Sequence, residues 1–339
     1  MESLLELKDV SIDFKSKRKE FNIIKNINLK IGHQMKYGIV GESGSGKSLT
    51  SLAIMNLLAD NLFVKDGEIV LRTAEEKVLN HLSKKEMRQV RGDDISMIFQ
   101  EPMTALDPLY TIEYQITEVL KFHRKMSKTE MREKAREMLI SVGISRPDKI
   151  LDDYPHQLSG GMRQRVMIAM ALITEPKLLI ADEPTTALDV TIQAQILDLM
   201  RDLTEEHGTS ILMITHDLGV ILETCDRVAV MYAGQVVEES TVKEVFDHPK
   251  HPYTQGLLKS IKTLGDRSQK LYSIPGNVPT PDEYQELGCR FATRCPFAFD
   301  KCFSEEPPEF KVGEDHSSKC WLHDEEVIPN EQSTSRVRS

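Results

Sequence analysis

The stretch Gly41-Glu-Ser-Gly-Ser-Gly-Lys47-Ser48 decides the fold of this chain. It matches the pattern G-x-x-x-x-G-K-[ST] at every fixed position, and the backbone N–H groups of such a loop cradle phosphates. The apolar run Tyr37-Gly-Ile-Val40 predicts a buried strand before the loop, and helical spacing of apolar residues predicts a helix over Ser48–Met55. The order strand, loop, helix predicts an α/β domain with a phosphate site at the helix N-terminus.

Each residue type in this loop suits a nucleoside triphosphate. Glycines let the backbone bend so that successive N–H groups face phosphate oxygens. Lys47 is expected to reach the β- and γ-phosphates of ATP, and the Ser48 hydroxyl to ligate Mg²⁺. A chance glycine-rich turn is the alternative, and the flanking strand and helix disfavour it. The expected binding residues are Gly41, Glu42, Ser43, Gly44, Ser45, Gly46, Lys47, Ser48 and Leu49.

A second apolar run, Leu178–Ala181, ends in two acids, Asp182 and Glu183. It predicts a buried parallel strand with its acids at the carboxyl end, where ligands bind in open α/β sheets. We expect Asp182 to hold Mg²⁺ through water and Glu183 to activate the attacking water as a general base. The alternative for Glu183 is a helix-capping carboxylate before Pro184.

Two further apolar strands end in polar residues. Ile211–Thr215 is followed by His216, and Ile95–Phe99 by Gln100. We interpret His216 as a γ-phosphate sensor that orients the base and the water, against the alternative of a structural histidine. Gln100 is expected to contact Mg²⁺ or water, because an amide there adds no charge.

A second motif, Leu158-Ser-Gly-Gly-Met-Arg-Gln-Arg165, predicts a helix N-terminus that can bind an anion. Ser159 is a good N-cap, and Gly160 and Gly161 leave N–H groups open. An apolar stripe for packing follows on the helix: Met162, Val166, Ala169, Met170 and Ile173. A chain with one phosphate cradle and one such helix would be half of a sandwich that hydrolyses ATP only when two domains close.

Taken in order, these motifs resemble the ATP-binding-cassette (ABC) ATPases. The resemblance implies that Ser159, Gly160 and Gly161 bind the γ-phosphate of ATP held by the opposite subunit. It also implies that Asp189 crosses the dimer interface and that Phe14 stacks on adenine. The alternative for Phe14 is a strand residue packed in the core.

Further segments resemble the D-type ATPase subunits of oligopeptide/dipeptide permeases: Glu101–Pro108, His251–Thr254, Ile274–Pro279 and Gly288–Pro296. This implies an ATPase that powers peptide import together with a homologous cassette, a heterodimer being expected. Two integral-membrane permease subunits and an extracytoplasmic solute-binding protein complete the implied complex, on the cytoplasmic face of a prokaryotic membrane. Alternatives are a nickel or metal-chelate importer, a non-transport cassette ATPase and an exporter.

The expected architecture is a P-loop ABC ATPase core with a small Cys-rich extension. The core combines a mixed sheet, an antiparallel β subdomain before the loop and a helical subdomain that carries the signature. We predict the ATPase domain over 1–255, the extension over 256–323 and a polar tail over 324–339.

Length and charge narrow the function classes. The chain has 339 residues and a net charge of −10, without a basic block, which argues against nucleic acid as a partner. It has no run of 18 apolar residues that could span a bilayer, and its N-terminus lacks a cationic leader region. The channel of a transporter would therefore have to come from other chains.

Four of the five cysteines fall in the extension: Cys289, Cys295, Cys302 and Cys320. Disulfides are disfavoured in the cytosol, and a small loop-rich segment needs a staple, so a metal is the leading hypothesis. Without a C-x₂-C pair, the spacing suits a [4Fe–4S] cluster better than zinc. Zinc and unliganded thiols remain alternatives.

Overall fold

The computed structural model describes residues 2–16, 19–100, 105–185, 190–264 and 272–326. Its strands are β1 (Leu5–Lys15), β2 (Glu20–Ile31), β3 (Lys36–Val40), β4 (Leu62–Arg72), β5 (Glu76–Val78), β6 (Ile95–Ile98), β7 (Leu178–Asp182), β8 (Ser210–Thr215), β9 (Arg227–Tyr232), β10 (Gln235–Thr241), β11 (Phe310–Gly313) and β12 (His316–Ser318). They form a four-stranded sheet, β2-β1-β4-β5, and an eight-stranded sheet, β11-β12-β10-β9-β3-β8-β7-β6.

The central strands of the larger sheet run parallel and are buried on both faces. β3 lies between β8 and β9, and β7 pairs with both β6 and β8. In β7, Leu178 and Ile180 pack into one hydrophobic cluster, whereas Leu179 and Ala181 pack into the other. Double burial explains why this strand is continuously apolar instead of alternating. The predicted mixed sheet is confirmed.

The smaller sheet is antiparallel: β1 and β2 come from the segment before the loop, as predicted, whereas β4 and β5 follow the loop. β1 pairs with β2 on one side and with β4 on the other. Its inner face and one face of the larger sheet share a core that includes Leu7, Ile12 and Ile27. This packing fixes β2 beside the phosphate loop.

The helices are α1 (Lys47–Ile54), α2 (Lys84–Val90), α3 (Ile112–His123), α4 (Lys128–Ser141), α5 (Pro147–Asp152), α6 (Gly160–Leu172), α7 (Val190–His207), α8 (Leu218–Thr224), α9 (Val242–Asp247), α10 (Pro252–Leu264), α11 (Pro281–Tyr284) and α12 (Asp300–Ser304). Helices α3–α6 form the predicted helical subdomain, and its apolar faces join the core of the larger sheet. Ser127 and Glu130 form a capping box that starts α4. Within the described ranges, no helix combines the length and apolarity needed to cross a membrane.

The segment predicted as a C-terminal extension adds strands to the larger sheet. β11 and β12 form a hairpin, and β12 pairs antiparallel with β10 through Glu238↔Ser318 and Glu239↔Ser317. The backbone N–H of Lys319 also donates to Val237 O at 2.9 Å. The extension therefore continues the sheet that carries the phosphate loop.

Buried polar residues stand at the junction of extension and core. The Glu238 carboxylate accepts the backbone N–H of His251 at 2.8 Å and lies 2.7 Å from His316 Nε2 on β12. His251 is 1% exposed, and its Nδ1 accepts the Tyr253 N–H at 3.1 Å. Burial lowers the pKa of His251 to about 4, while the Glu238 charge opposes the shift and His323 adds to it. His251 is thus neutral in the folded protein.

We expect the free energy of unfolding to decrease as the pH falls from 6.5 towards 4. The unfolded chain takes up a proton on His251 in this window and the folded chain does not, so up to about 3 kcal/mol of stability is lost. Replacing His251 by Gln removes this part of the pH dependence, measured by urea unfolding at several pH values. His248→Gln, at an exposed position on the same segment, is the control. An unchanged slope in His251→Gln would contradict the assignment.

Candidate nucleotide site

The phosphate loop connects β3 to α1 as predicted, and two of its glycines are required by geometry. A Cβ on Gly41 would lie 2.1 Å from the Met231 carbonyl oxygen of β9, so no side chain fits. Gly46 has φ 101°, a left-handed conformation that L side chains rarely adopt, and it caps α1. Ser43 and Gly44 lie exposed at the tip, and Leu49 packs against the core beneath.

Lys47 and Ser45 line the inside of the loop. Lys47 Nζ donates to the carbonyls of Gly41 at 2.7 Å and Glu42 at 3.1 Å. Burial lowers the pKa of Lys47, and the nearby carboxylates, Glu183 first, act against that shift. The buried Ser45 hydroxyl has no protein hydrogen-bond partner. An unpaired buried donor beside a buried ammonium fits a polyphosphate.

The strand β7 carries Asp182 to the start of α1. The two carboxylate oxygens of Asp182 accept hydrogen bonds from the hydroxyls of Ser48 at 3.0 Å and Ser51 at 3.2 Å. Burial raises the pKa of Asp182, and these two hydroxyls act in the opposite direction. A hydroxyl and a carboxylate at this separation are oxygen ligands that suit Mg²⁺. The prediction missed Ser51, although it lies one turn after Ser48 on α1.

Glu183 is held between two side chains from neighbouring strands. Gln100 Nε2 donates to Oε2 of Glu183 at 3.0 Å, and His216 Nδ1 lies 3.0 Å from its Oε1. The Glu183 side chain is 13% exposed, and its backbone adopts φ 47° while its N–H bonds to Ile214 O. A carboxylate oriented from both sides at the edge of a phosphate site is placed as a general base would be.

The signature motif starts α6 as predicted. Ser159 is the N-cap, accepting the Met162 N–H at 3.4 Å, and it lies exposed together with Gly160. A Cβ on Gly160 would meet nothing within 4 Å. The helix N-terminus therefore faces outwards, open to an anion supplied by another molecule. The apolar stripe behind it packs into the core, with Val166, Ala169 and Ile173 fully buried.

Gln164 links the signature helix to the end of β7, which sequence reasoning missed. It is fully buried, and its Nε2 donates to the carbonyl of Pro184, the residue after Glu183. A buried amide among apolar positions of a helix is the signal that could have identified it.

Phe14 is half-buried and stacks on Phe21, with ring centroids 6.4 Å apart. It lies near the end of the ribbon formed by β1 and β2. Ile24 on the same ribbon lies next to Gly46 of the phosphate loop. A half-buried aromatic ring is a surface on which a base can stack. Asp189 lies outside the described residues.

The metal hypothesis for the cysteines finds no support in the structure. Within the described residues, no three or more His, Cys, Asp or Glu side chains form a group that could hold a metal ion. Cys302 packs with Trp321 in a small apolar cluster, Cys289 packs against it, and Cys320 is also buried. Burial raises the pKa of Cys289 and Cys320 to about 12 and that of Cys295 to about 11, which favours neutral thiols. The described geometry is that of apolar packing residues.

Comparisons with known proteins agree with this site. Residues 24–186 match the ABC transporter family, and residues 237–302 match the family described as "Oligopeptide/dipeptide transporter, C-terminal region". A dimeric post-hydrolysis structure of an ATP-binding cassette bound to ADP and Pi superposes with TM-score 0.62 at 32% identity. It covers 70% of this chain and 98% of that one. The fold and the site define an ABC ATPase.

Curated relatives narrow the class. The oligopeptide transport ATP-binding protein AppD of Bacillus subtilis is 51% identical over 96% of this chain and 98% of its own length. The dipeptide transport ATP-binding protein DppD of Haemophilus influenzae is 46% identical over 92% and 93%. The chain belongs to the ATP-binding proteins of the oligopeptide/dipeptide ABC transporter family.

Proposed function

We propose that this chain binds and hydrolyses ATP to power the import of oligopeptides or dipeptides through a membrane permease. One observation carries the hydrolysis: Glu183 is held at 3.0 Å from both Gln100 and His216, next to the phosphate loop. The transported class rests on the names of the relatives, which are oligopeptide and dipeptide transport proteins.

In this proposal each side chain has one role at the nucleotide. Lys47 moves from its loop carbonyls to the β- and γ-phosphates, and Phe14 stacks on adenine. Ser48, Asp182 and Gln100 hold Mg²⁺, which neutralises the developing phosphate charge when bound. Glu183 accepts the proton of the attacking water, and His216 keeps its carboxylate in place.

The second half of the site comes from another cassette. Ser159 and Gly160 are exposed, which supports contact with ATP held by a partner. Gly161 and Asp189 belong to the same proposed surface. ATP would drive the closure of the two cassettes because it binds the closed pair more tightly than the open pair. A homologous cassette, giving a heterodimer, is the proposed partner.

The proposed complex also contains two integral-membrane permease subunits and an extracytoplasmic solute-binding protein. This chain would then be peripheral, on the cytoplasmic face of the membrane. Exposed aromatic side chains on the helical subdomain support docking onto the permease subunits. They are Tyr110, just before α3, and Tyr114 and Phe122 on α3. No role for nucleic acid is proposed.

We keep the domain division at residue 255/256 as a proposal, with the extension over 256–323.

The metal content of the purified protein decides between a [4Fe–4S] cluster, zinc and unliganded thiols. Iron, sulfide and zinc are measured in protein purified without oxygen, with Cys295→Ser and Cys225→Ser compared. The geometry predicts less than one metal ion per chain in all three. Stoichiometric metal lost only in Cys295→Ser, with reduced protease resistance of the extension, would establish the cluster.

Uptake in cells tests the function. Glu183→Gln is placed in the chromosomal copy, and a labelled dipeptide, a longer oligopeptide and nickel are offered separately. Loss of peptide uptake supports the proposal. Whether uptake of the dipeptide or of the longer oligopeptide is lost shows which class of peptide the transporter imports. Loss of nickel uptake alone would instead identify a metal importer.

A further inference from the structure

The extension reaches the phosphate loop through one arginine. Arg294 donates to both carboxylate oxygens of Glu42, from Nη1 at 2.6 Å and from Nη2 at 3.1 Å. Its side chain is 5% exposed, and its Nε donates to the Pro275 carbonyl at 3.0 Å. A two-point contact of this kind fixes geometry as well as charge. Glu42 belongs to the loop, and Arg294 lies 252 residues later.

The same loop residue is held a second time through its backbone. The N–H of Glu42 donates to the Tyr253 hydroxyl at 2.9 Å. Tyr253 packs against Tyr232 and against Phe291 of the extension, with ring centroids 4.7 and 5.4 Å apart. Tyr232 in turn accepts from Arg294 Nη1 at 3.4 Å. An aromatic cluster shared by core and extension therefore supports both contacts to Glu42.

The charges explain why an arginine is needed there. A carboxylate in a loop that binds a triphosphate repels the ligand, and the Glu42 carboxylate is close enough to act on Lys47. Burial lowers the pKa of Arg294, but its hydrogen bonds to Glu42 and Tyr232 outweigh that effect, so it stays charged. A permanently charged guanidinium 2.6 Å from the carboxylate cancels most of the repulsion.

We infer that Arg294 is a positioning residue of the nucleotide site: it orients the first turn of the phosphate loop and neutralises Glu42, so that ATP can bind. The inference rests on the proposed binding of ATP at this loop. The extension is then a working part of the ATPase and not only an appendage.

The test compares ATP affinity of the full chain in three variants by equilibrium titration with a fluorescent ATP analogue. Arg294→Met leaves Glu42 as an unpaired anion, and we expect about tenfold weaker binding. Glu42→Gln removes the anion itself, so its affinity is the reference for a loop without that charge. The double variant Arg294→Met/Glu42→Gln should bind within about threefold of Glu42→Gln, because no anion remains for Arg294 to neutralise.

Glu306→Gln is the matched control, since Glu306 pairs with Lys25 across the same junction without touching the phosphate loop. Thermal unfolding of every variant separates misfolding from weak binding. Wild-type affinity in Arg294→Met would overturn the inference. So would an equal loss of affinity when Arg294→Met is introduced into the wild type and into Glu42→Gln, because Arg294 would then act independently of the Glu42 charge. If the wild type itself fails to bind the analogue, the proposed function falls, and this inference with it.

Discussion

Glu183→Gln should bind ATP like the wild type and lose hydrolysis by a factor of about 10² to 10⁴ in kcat. The amide keeps the shape of the side chain, which is held from Gln100 and His216 at 3.0 Å each, but it cannot accept the proton of water. Bound ATP then persists, and closed dimers should accumulate. Phosphate release and light scattering with and without ATP measure the two effects.

The control for this variant is Glu175→Gln. Glu175 is also a glutamate at positive φ, 58° against 47° for Glu183, but it is exposed and pairs with Lys134 at 3.0 Å. Any effect of placing Gln on a left-handed backbone is therefore common to both variants. Wild-type turnover in Glu183→Gln would refute the base assignment.

Ser159→Asp should lose hydrolysis by a factor of about 10² to 10³ relative to Ser159→Asn. Asp and Asn both cap helices well, so the hydrogen bond to the Met162 N–H is preserved in either variant. They differ by one negative charge, which would face the γ-phosphate of a partner's ATP. ATP binding to the chain's own loop should be equal in the two, as measured by titration.

Mixing experiments show whether the site is shared between chains. If this chain pairs with itself, Lys47→Ala and Ser159→Asp are each inactive alone. In a mixed dimer both defects fall on one composite site, and the other site is intact. Half of the dimers in an equal mixture are mixed, so roughly a quarter of wild-type activity returns. If the partner is a different cassette, activity returns only when that cassette is added. Equal activity of Ser159→Asp and Ser159→Asn would exclude the shared site.

The phosphate loop, β7 and the signature helix were predictable because each depends on residues close in sequence. A glycine pattern between an apolar strand and a helix defines Gly41–Ser48 locally, and an acid at a strand end defines Asp182. The meeting of Gln100, Glu183 and His216 also followed, because the carboxyl ends of parallel strands share one edge.

The pairing of Arg294 with Glu42 could not be predicted, because nothing local to either residue identifies a partner 252 positions away. The amide of Gln164 was missed for a similar reason: its acceptor is a backbone carbonyl brought near by packing. The metal hypothesis finds no support for a different reason. Cysteine spacing does not show how the thiols pack, and among the described residues Cys302 packs beside Trp321 without forming a metal-binding group.

The hairpin of β11 and β12 has a consequence for the outer side of β10. An unpaired strand of sequence Gln-Val-Val-Glu-Glu-Ser-Thr offers a row of N–H and C=O groups that other molecules can extend into a shared sheet. In the intact chain β12 occupies part of that row. A shortened ATPase that ends at residue 255 would retain the phosphate loop and the signature, yet it would expose this strand to aggregation.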